Sequence, residues 1–130
     1  MPINYTIDEE RNLVLTVASG TLYDADVMQH KAALRDDPRV TPDIKELSDV
    51  RGIEQLDVTE TGIRQMIRFD RDAAASTGGH TLAIVATEDI IFGMARMYEM
   101  LTEQNVRSVQ VFRDIDEATR WLLDPPEEEL

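Results

Sequence analysis

The stretch TLAIVA, residues 81–86, decides the class of fold. Every residue after Thr81 is apolar, and the run lacks the alternation of a strand with one solvated face. A short continuous apolar run is typical of a strand that is buried on both faces, as central strands of parallel sheets are. Residues 89–104, which follow it, show helical periodicity. The segment therefore predicts the centre of an α/β sheet.

Strands and helices alternate on both sides of this stretch. Alternating apolar residues over 3–7 and 13–17 predict a β-hairpin that ends at Gly20. After the hairpin, the predicted elements are a helix over 25–35, a strand over 44–49, a helix over 57–77, the strand over 81–86, a helix over 89–104, a strand over 108–112 and a helix over 115–123. This order, ββαβαβαβα, predicts an α/β domain with a mixed sheet whose later strands are parallel.

Three aspartates and an acidic tail mark the limits of these elements. Asp24, Asp57 and Asp114 are candidate N-caps, because an aspartate side chain can accept a hydrogen bond from the free N–H groups of a first helical turn. No linker or internal repeat interrupts the chain, so residues 1–124 are predicted to form one domain. Residues 125–130, PPEEEL, are predicted to be a frayed acidic tail.

The stretch DVRGIEQLD, residues 49–57, resembles the strand-to-helix segment of STAS domains, which include the anti-sigma-factor antagonists. Asp49, Gly52 and Asp57 fall in register with the two aspartates and the glycine of that family's pattern. FGMARMY, residues 92–98, is similar to a stretch that is common in uncharacterised bacterial SpoIIAA-like proteins. The resemblance implies a SpoIIAA-like fold and a non-catalytic regulatory or protein-interaction module.

The residues after this stretch depart from the family pattern. In the antagonists a serine pair stands at the start of the helix, and a partner kinase phosphorylates one serine. Here Val58 replaces the first serine, Thr59 matches the second and Glu60 replaces the glycine that follows. The resemblance makes Thr59 a candidate phospho-switch, although the fixed charge of Glu60 would repel a phosphate. The alternative is that Thr59 is an ordinary first-turn residue of a helix that Asp57 and Glu60 cap as a capping box.

The charge balance limits the possible partners. Twenty-six acidic residues against 13 basic ones give a net charge of −13. A nucleic-acid-binding protein needs a basic face, and anionic membranes repel an excess of negative charge, so neither is expected as a partner. The chain has no cysteine, no apolar run that could span a membrane and no secretory signal at its start, which predicts a cytoplasmic protein.

No set of polar residues predicts catalysis, a metal or a cofactor. His30 and His80 lack metal-ligand spacing and are predicted to lie on a helix surface and in a loop. Asp70 stands among arginines, which predicts a solvated helix face. Asp49 and Arg51 form either a binding site at a strand end or, more commonly, a structural ion pair. The chain has no recognisable nucleophile–base pattern or phosphate-binding loop, so it is not predicted to be an enzyme.

The helix over 89–104 has more apolar residues than packing on a sheet requires. One apolar stripe suffices for that packing, and it leaves over Ile90, Phe92, Met97 and Met100. These four residues are candidates for a homodimer interface, for contact with another protein or for contact with an apolar ligand. The alternative is that a neighbouring helix of the same chain covers them. A ligand role would make the chain a carrier or sensor of a small apolar molecule, by analogy with the CRAL-TRIO lipid carriers, which share much of this topology.

The net charge leads to a prediction about salt. Like charges repel over a Debye length of about 10 Å at 0.1 M ionic strength, so a charge of −13 destabilises the folded chain most at low salt. The melting temperature is expected to rise as sodium chloride is increased from millimolar to molar concentration, in a thermal scan followed by circular dichroism. A melting temperature that stays constant or falls would show that self-repulsion is not a significant term.

Overall fold

The computed structural model describes residues 2–77, 80–103 and 106–124, with side chains left out for 75–77. Its elements are β1 (Ile3–Asp8), β2 (Leu13–Tyr23), α1 (Asp24–Asp36), β3 (Lys45–Asp57), α2 (Glu60–Thr77), β4 (Thr81–Val85), α3 (Asp89–Leu101), β5 (Val109–Phe112) and α4 (Ile115–Leu123). The five strands form one sheet in the order β1-β2-β3-β4-β5, in which β1 is antiparallel to β2 and the other neighbours are parallel. The predicted order of elements and the mixed sheet are confirmed.

The helices divide between the two faces of the sheet. On one face, Ala83 and Val85 of β4 pack with Ala118 of α4. On the other face, Leu82 and Ile84 belong to a cluster that α2 and α3 cover, and α1 lies beside α2 over β1 and β2. Both faces of β4 are therefore buried, as the apolar run 81–86 predicts. None of the described helices is both long enough and apolar enough to cross a bilayer.

Two strands run further than their sequences predict. β2 does not end at Gly20 but continues to Tyr23, and β3 does not end at Asp49 but continues to Asp57. The two strands pair in parallel along this whole length, with register shifts on either side of Gly20, which has a φ of 72°. A left-handed backbone of this kind suits glycine. Hydrogen bonding to the neighbouring strand thus outweighs the local signals that predict chain breaks, and Asp49 lies inside a strand rather than at its end.

The starts of α1 and α2 also differ from the prediction. Asp24 is the first residue of α1 and not its N-cap, which is Tyr23. α2 begins at Glu60, and its cap is Thr59 rather than Asp57, because the Thr59 hydroxyl accepts a hydrogen bond from the Gly62 N–H at 2.9 Å. The sequence misplaces this cap because β3 continues to Asp57 and delays the start of the helix.

The remaining elements lie close to their predicted positions. Asp114 caps α4 as predicted, and its carboxylate accepts a hydrogen bond from the Asp116 N–H at 2.8 Å. α3 ends at Leu101, three residues before the predicted limit at 104. The predicted glycine stop at 78–79 and the predicted acidic tail at 125–130 lie outside the described residues.

Candidate ligand-binding site

A partly enclosed cavity of about 190 Å³ lies between the sheet and the helices α1 and α2. Much of its wall is apolar, with side chains from both helices and from β2, β3 and β4, among them Leu22, Val27, Val50, Met66 and Leu82. The other part of the wall is a group of polar side chains, here called the buried polar cluster: Thr16, His30, Lys31, Glu46, Asp70, His80, Tyr98 and Arg107. The cavity therefore combines apolar walls with one polar region.

The Tyr98 hydroxyl of α3 is the centre of one half of the cluster. It accepts hydrogen bonds from Lys31 Nζ at 3.0 Å and from Arg107 Nη1 at 3.0 Å, and it donates its own proton to Asp70 Oδ2. Lys31 Nζ also donates to Asp70 Oδ1 at 2.8 Å, and Arg107 Nη1 lies 3.4 Å from the same oxygen. All three hydrogen-bonding positions of the hydroxyl are in use. This half of the cluster connects α1, α2 and α3.

The Glu46 carboxylate of β3 is the centre of the other half. Its Oε2 accepts a hydrogen bond from the Thr16 hydroxyl at 2.7 Å and lies 2.9 Å from His30 Nε2. Its Oε1 lies 3.0 Å from His80 Nε2 and 3.9 Å from Arg107 Nη2. Arg107 therefore belongs to both halves, since it contacts the carboxylates of both Glu46 and Asp70.

The charged members of the cluster are buried and balanced. The side chains of Glu46 and Asp70 are each 6% exposed, and that of Arg107 is 4% exposed. Two carboxylates face two permanent cations, Lys31 and Arg107. A buried charge without a partner is costly, and among the described residues no buried side-chain nitrogen or oxygen lacks a hydrogen-bond partner. The pairing allows these groups to stay charged inside the protein.

The same pairing determines the protonation of the carboxylates. Burial raises the pKa of the Glu46 carboxyl, but hydrogen bonds from His30 and His80 outweigh it and hold that pKa well below its ordinary value. Burial likewise raises the pKa of Asp70. The positive charges of Lys31 and Arg107 outweigh the effect of burial, so this pKa is also lowered. Both groups are therefore carboxylates at neutral pH.

Two neighbours of His80 require opposite protonation states of its Nε2 atom. Its Nε2 lies 3.0 Å from Glu46 Oε1 and 2.6 Å from Arg107 Nη2. A protonated Nε2 can donate to the carboxylate but then faces an N–H group of Arg107. An unprotonated Nε2 can accept from Arg107 but then turns its lone pair toward the carboxylate. Burial, and then the charge of Arg107, lower the pKa of His80, which is therefore neutral at pH 7.

The sequence misses this cluster. His30 and Asp70 are predicted to lie on helix surfaces, and the structure instead places both in the cavity wall. That prediction is wrong because each residue reads as an ordinary surface residue in its own segment, and only the fold brings the segments together. His80 lies in the loop before β4 as predicted, and its side chain also lines the cavity. One local signal was available: the alternation of side chains along a strand places the charged Glu46 on the same face as the apolar Ile44.

The residues of the 49–57 stretch lie elsewhere. Asp49 forms an ion pair with Arg51 at 2.8 Å, which lowers the pKa of its carboxyl, and the pair does not line the cavity. Gly52 is exposed in β3 opposite Ser19 of β2. Asp57 accepts a hydrogen bond from a neighbouring glutamine at 3.1 Å.

Thr59, the candidate phospho-switch, has a hydroxyl that is already in use. The hydroxyl donates to Asp24 Oδ2 at 2.6 Å, and the Thr59 N–H donates to Asp24 Oδ1 at 2.9 Å. A phosphate would break these bonds and would stand beside the carboxylates of Asp24 and Glu60, whose charges would repel it. Glu60 itself is exposed and pairs with Arg64 at 3.0 Å. The geometry therefore favours a capping role for Thr59.

The four candidate residues of α3 divide into two pairs. Ile90 and Met100 are exposed, at 77% and 75%. Met97 is half-buried and packs against the core cluster below α3. Phe92 is also half-buried, and the guanidinium of Arg113 lies 4.2 Å from the centre of its ring. The chain's own core thus uses part of the apolar surplus. The cavity lies under α1 and α2, and Tyr98 is the residue of α3 that lines it.

Solved structures of two other proteins have the same fold. One is an uncharacterised protein of the DUF3478 family with a SpoIIAA-like fold from Shewanella loihica PV-4, with a TM-score of 0.61, 18% identity, and coverage of 92% of this chain and 93% of that one. The other is an anti-sigma factor antagonist from Mycobacterium paratuberculosis, with a TM-score of 0.50, 12% identity, and coverage of 94% and 95%. No protein family and no curated protein matches the chain by sequence. The SpoIIAA-like fold implied by residues 49–57 is confirmed.

The hydroxyl of Tyr98 provides a test of the cluster. Tyr98→Phe leaves Lys31, Arg107 and Asp70 in place but removes the group that all three contact. The free energy of unfolding in urea is expected to fall by about 1–3 kcal/mol, the cost of leaving buried polar groups unsatisfied. Tyr23→Phe is the matched control, because Tyr23 is 53% exposed and its change should stay within about 0.5 kcal/mol. Equal effects of the two substitutions would contradict the described role of Tyr98.

Proposed function

We propose that this chain is a non-catalytic regulatory module with a SpoIIAA-like fold, and that its input is a small, mostly apolar molecule held in the cavity. The observation that carries the proposal is the cavity itself, about 190 Å³ in volume and walled by the sheet, α1 and α2. An engineered apolar cavity of about 150 Å³ is enough to bind benzene. A molecule built on one substituted ring therefore matches the size of this cavity.

A ligand in this position can shift the conformation of the protein. Such a shift is what distinguishes a sensor from a passive pocket. The walls come from strands of the sheet and from two helices, so a bound molecule would contact both layers at once. Burying apolar ligand surface there contributes roughly 25 cal/mol per Å². Only the conformation in which α1 and α2 are packed on the sheet offers these contacts, so binding would shift the population toward it.

The polar cluster supports binding rather than catalysis. Thr16, His30 and Glu46 resemble the parts of a catalytic triad, but their arrangement differs. In a triad the acid and the nucleophile contact different nitrogens of the histidine. Here Nε2 of His30 lies 2.9 Å from Glu46 Oε2 and 3.5 Å from Thr16 Oγ1, and the hydroxyl gives its proton directly to the carboxylate. Thr16 is thus not activated as a nucleophile.

A second candidate function, interaction with a second copy of this chain, rests on the outer side of α3. Ile90, Gly93, Met97 and Met100 follow one another at spacings of three, four and three residues, and Leu101 lies four residues after Met97, which places all five on one side of the helix. Ile90, Met100 and Leu101 are exposed. A two-fold contact uses the same patch twice, so this strip suits a homodimer. By its name, the solved antagonist acts on another protein, an anti-sigma factor. The cytoplasmic location of this chain stays a prediction from the sequence.

Filling the cavity tests the first function. Ala74 of α2 lines the cavity, so Ala74→Leu would occupy part of its volume. In methyl NMR spectra of the wild type, toluene is expected to shift the signals of Val27, Val50 and Met66, and Ala74→Leu should abolish these shifts. Ala25→Leu on the exposed face of α1 is the matched control and should leave them unchanged. Shifts that persist in Ala74→Leu, or that lie only at the surface, would refute the cavity as a binding site.

A charge on the outer side of α3 tests the second function. Met100 is 75% exposed, so Met100→Glu should leave the fold intact while placing a carboxylate in the proposed contact. Sedimentation is expected to show a dimer for the wild type and a monomer for the variant. Thr61→Glu, at an exposed position of α2, adds the same charge elsewhere and should remain dimeric. A wild type that is monomeric at high micromolar concentration would rule out the homodimer.

A further inference from the structure

One contact in the cavity wall is not satisfied by the protein alone. His80 Nε2 cannot both donate to Glu46 Oε1 at 3.0 Å and accept from Arg107 Nη2 at 2.6 Å. Whichever state the ring adopts, two donors or two acceptors face each other in a buried site, where such an arrangement is expensive. The conflict disappears if another acceptor binds the Arg107 N–H group. His80 Nε2 can then be protonated and donate a hydrogen bond to Glu46.

We infer that the cavity is built for a small monocarboxylic acid with an apolar body, whose carboxylate binds Arg107 while His80 takes up a proton. This inference rests on the proposed function, since it names the chemical class of the molecule that the cavity holds. A carboxylate supplies the acceptor that the contact between Arg107 and His80 lacks, and a guanidinium is well suited to bind it. The apolar walls, among them Val27 and Met66, accommodate the remainder of the molecule.

The charge balance of the cluster requires that a proton accompany the carboxylate. The carboxylates of Glu46 and Asp70 and the cations of Lys31 and Arg107 balance before binding. A bound carboxylate would add one buried negative charge, which is costly unless a positive charge accompanies it. The imidazole of His80 can supply that charge by binding the proton of the acid or one from solution.

The charged groups that face His80 act in opposite directions. Glu46, its carboxylate partner on β3, stabilises the protonated ring, whereas the positive charges of Arg107 and Lys31 oppose it. A ligand carboxylate on Arg107 would neutralise the opposing charge and so raise the pKa of His80. His30 reaches the same carboxylate from α1, and Asp70 and Tyr98 hold the far side of the guanidinium. Binding should therefore be accompanied by uptake of up to one proton near neutral pH.

Calorimetry with matched compounds tests this inference. Benzoate, neutral benzamide and toluene are titrated into the wild type at pH 7 in buffers of different ionisation enthalpy, which reports the protons taken up. Benzoate is expected to bind roughly tenfold or more tightly than benzamide, with net proton uptake. His80→Gln, which replaces a side chain that is 20% exposed at the edge of the cluster, should abolish the uptake and weaken benzoate binding without weakening benzamide.

Each other outcome overturns a defined part of the account. If benzamide or toluene binds as tightly as benzoate, the carboxylate inference is wrong and the cavity remains a site for neutral molecules. If benzoate binds without proton uptake, the inference that His80 takes up a proton is wrong. Proton uptake that persists in His80→Gln would also refute it, because another group would then be the acceptor. If none of the three compounds binds the wild type, both the inference and the proposed ligand function fail.

Discussion

The buried guanidinium of Arg107 is the constraint on which the rest of the structure depends. A cation that is only 4% exposed must be surrounded by acceptors. It finds them in Asp70 of α2, in Tyr98 of α3, in Glu46 of β3 and in the backbone oxygen of the residue before β4. These acceptors belong to α2, α3, β3 and the residue before β4. The hydrogen bonds and ion pairs of one side chain therefore fix the positions of these elements relative to one another.

The same constraint explains why the interior contains a cavity. Charged and hydroxylated side chains must keep their hydrogen-bond geometry, so α1 and α2 cannot close onto the sheet as apolar helices would. Buried ion pairs contribute little net stability compared with well-packed apolar residues, and their retention is often connected with a specific arrangement or a function. In this chain the polar cluster lies at one side of an otherwise apolar cavity, which is the composition of a typical small-molecule site.

Local signals are sufficient for the architecture but not for the site. The apolar run 81–86 and the Asp114 cap predict β4 and α4 well, because burial and capping are properties of neighbouring residues. The ends of β2 and β3 are missed because pairing between the two strands, which no single segment reveals, overrides Gly20 and the polar residues after Asp49. The cluster is missed for the same reason on a larger scale. Its members are spread from Thr16 to Arg107, and only the sheet order brings them together.

The central claim, that the interior is a binding site for a small acid, is tested most directly by a crystal structure of the protein with 4-bromobenzoate, in which anomalous scattering locates the bromine. The account predicts a bromine peak inside the cavity, near Val50 and Met66, and a carboxylate oxygen within about 3 Å of Arg107 Nη2 in place of the His80 contact. A bromine peak found only on the outer surface, with Arg107 still against His80 and the cavity closed by its own side chains, would contradict the account.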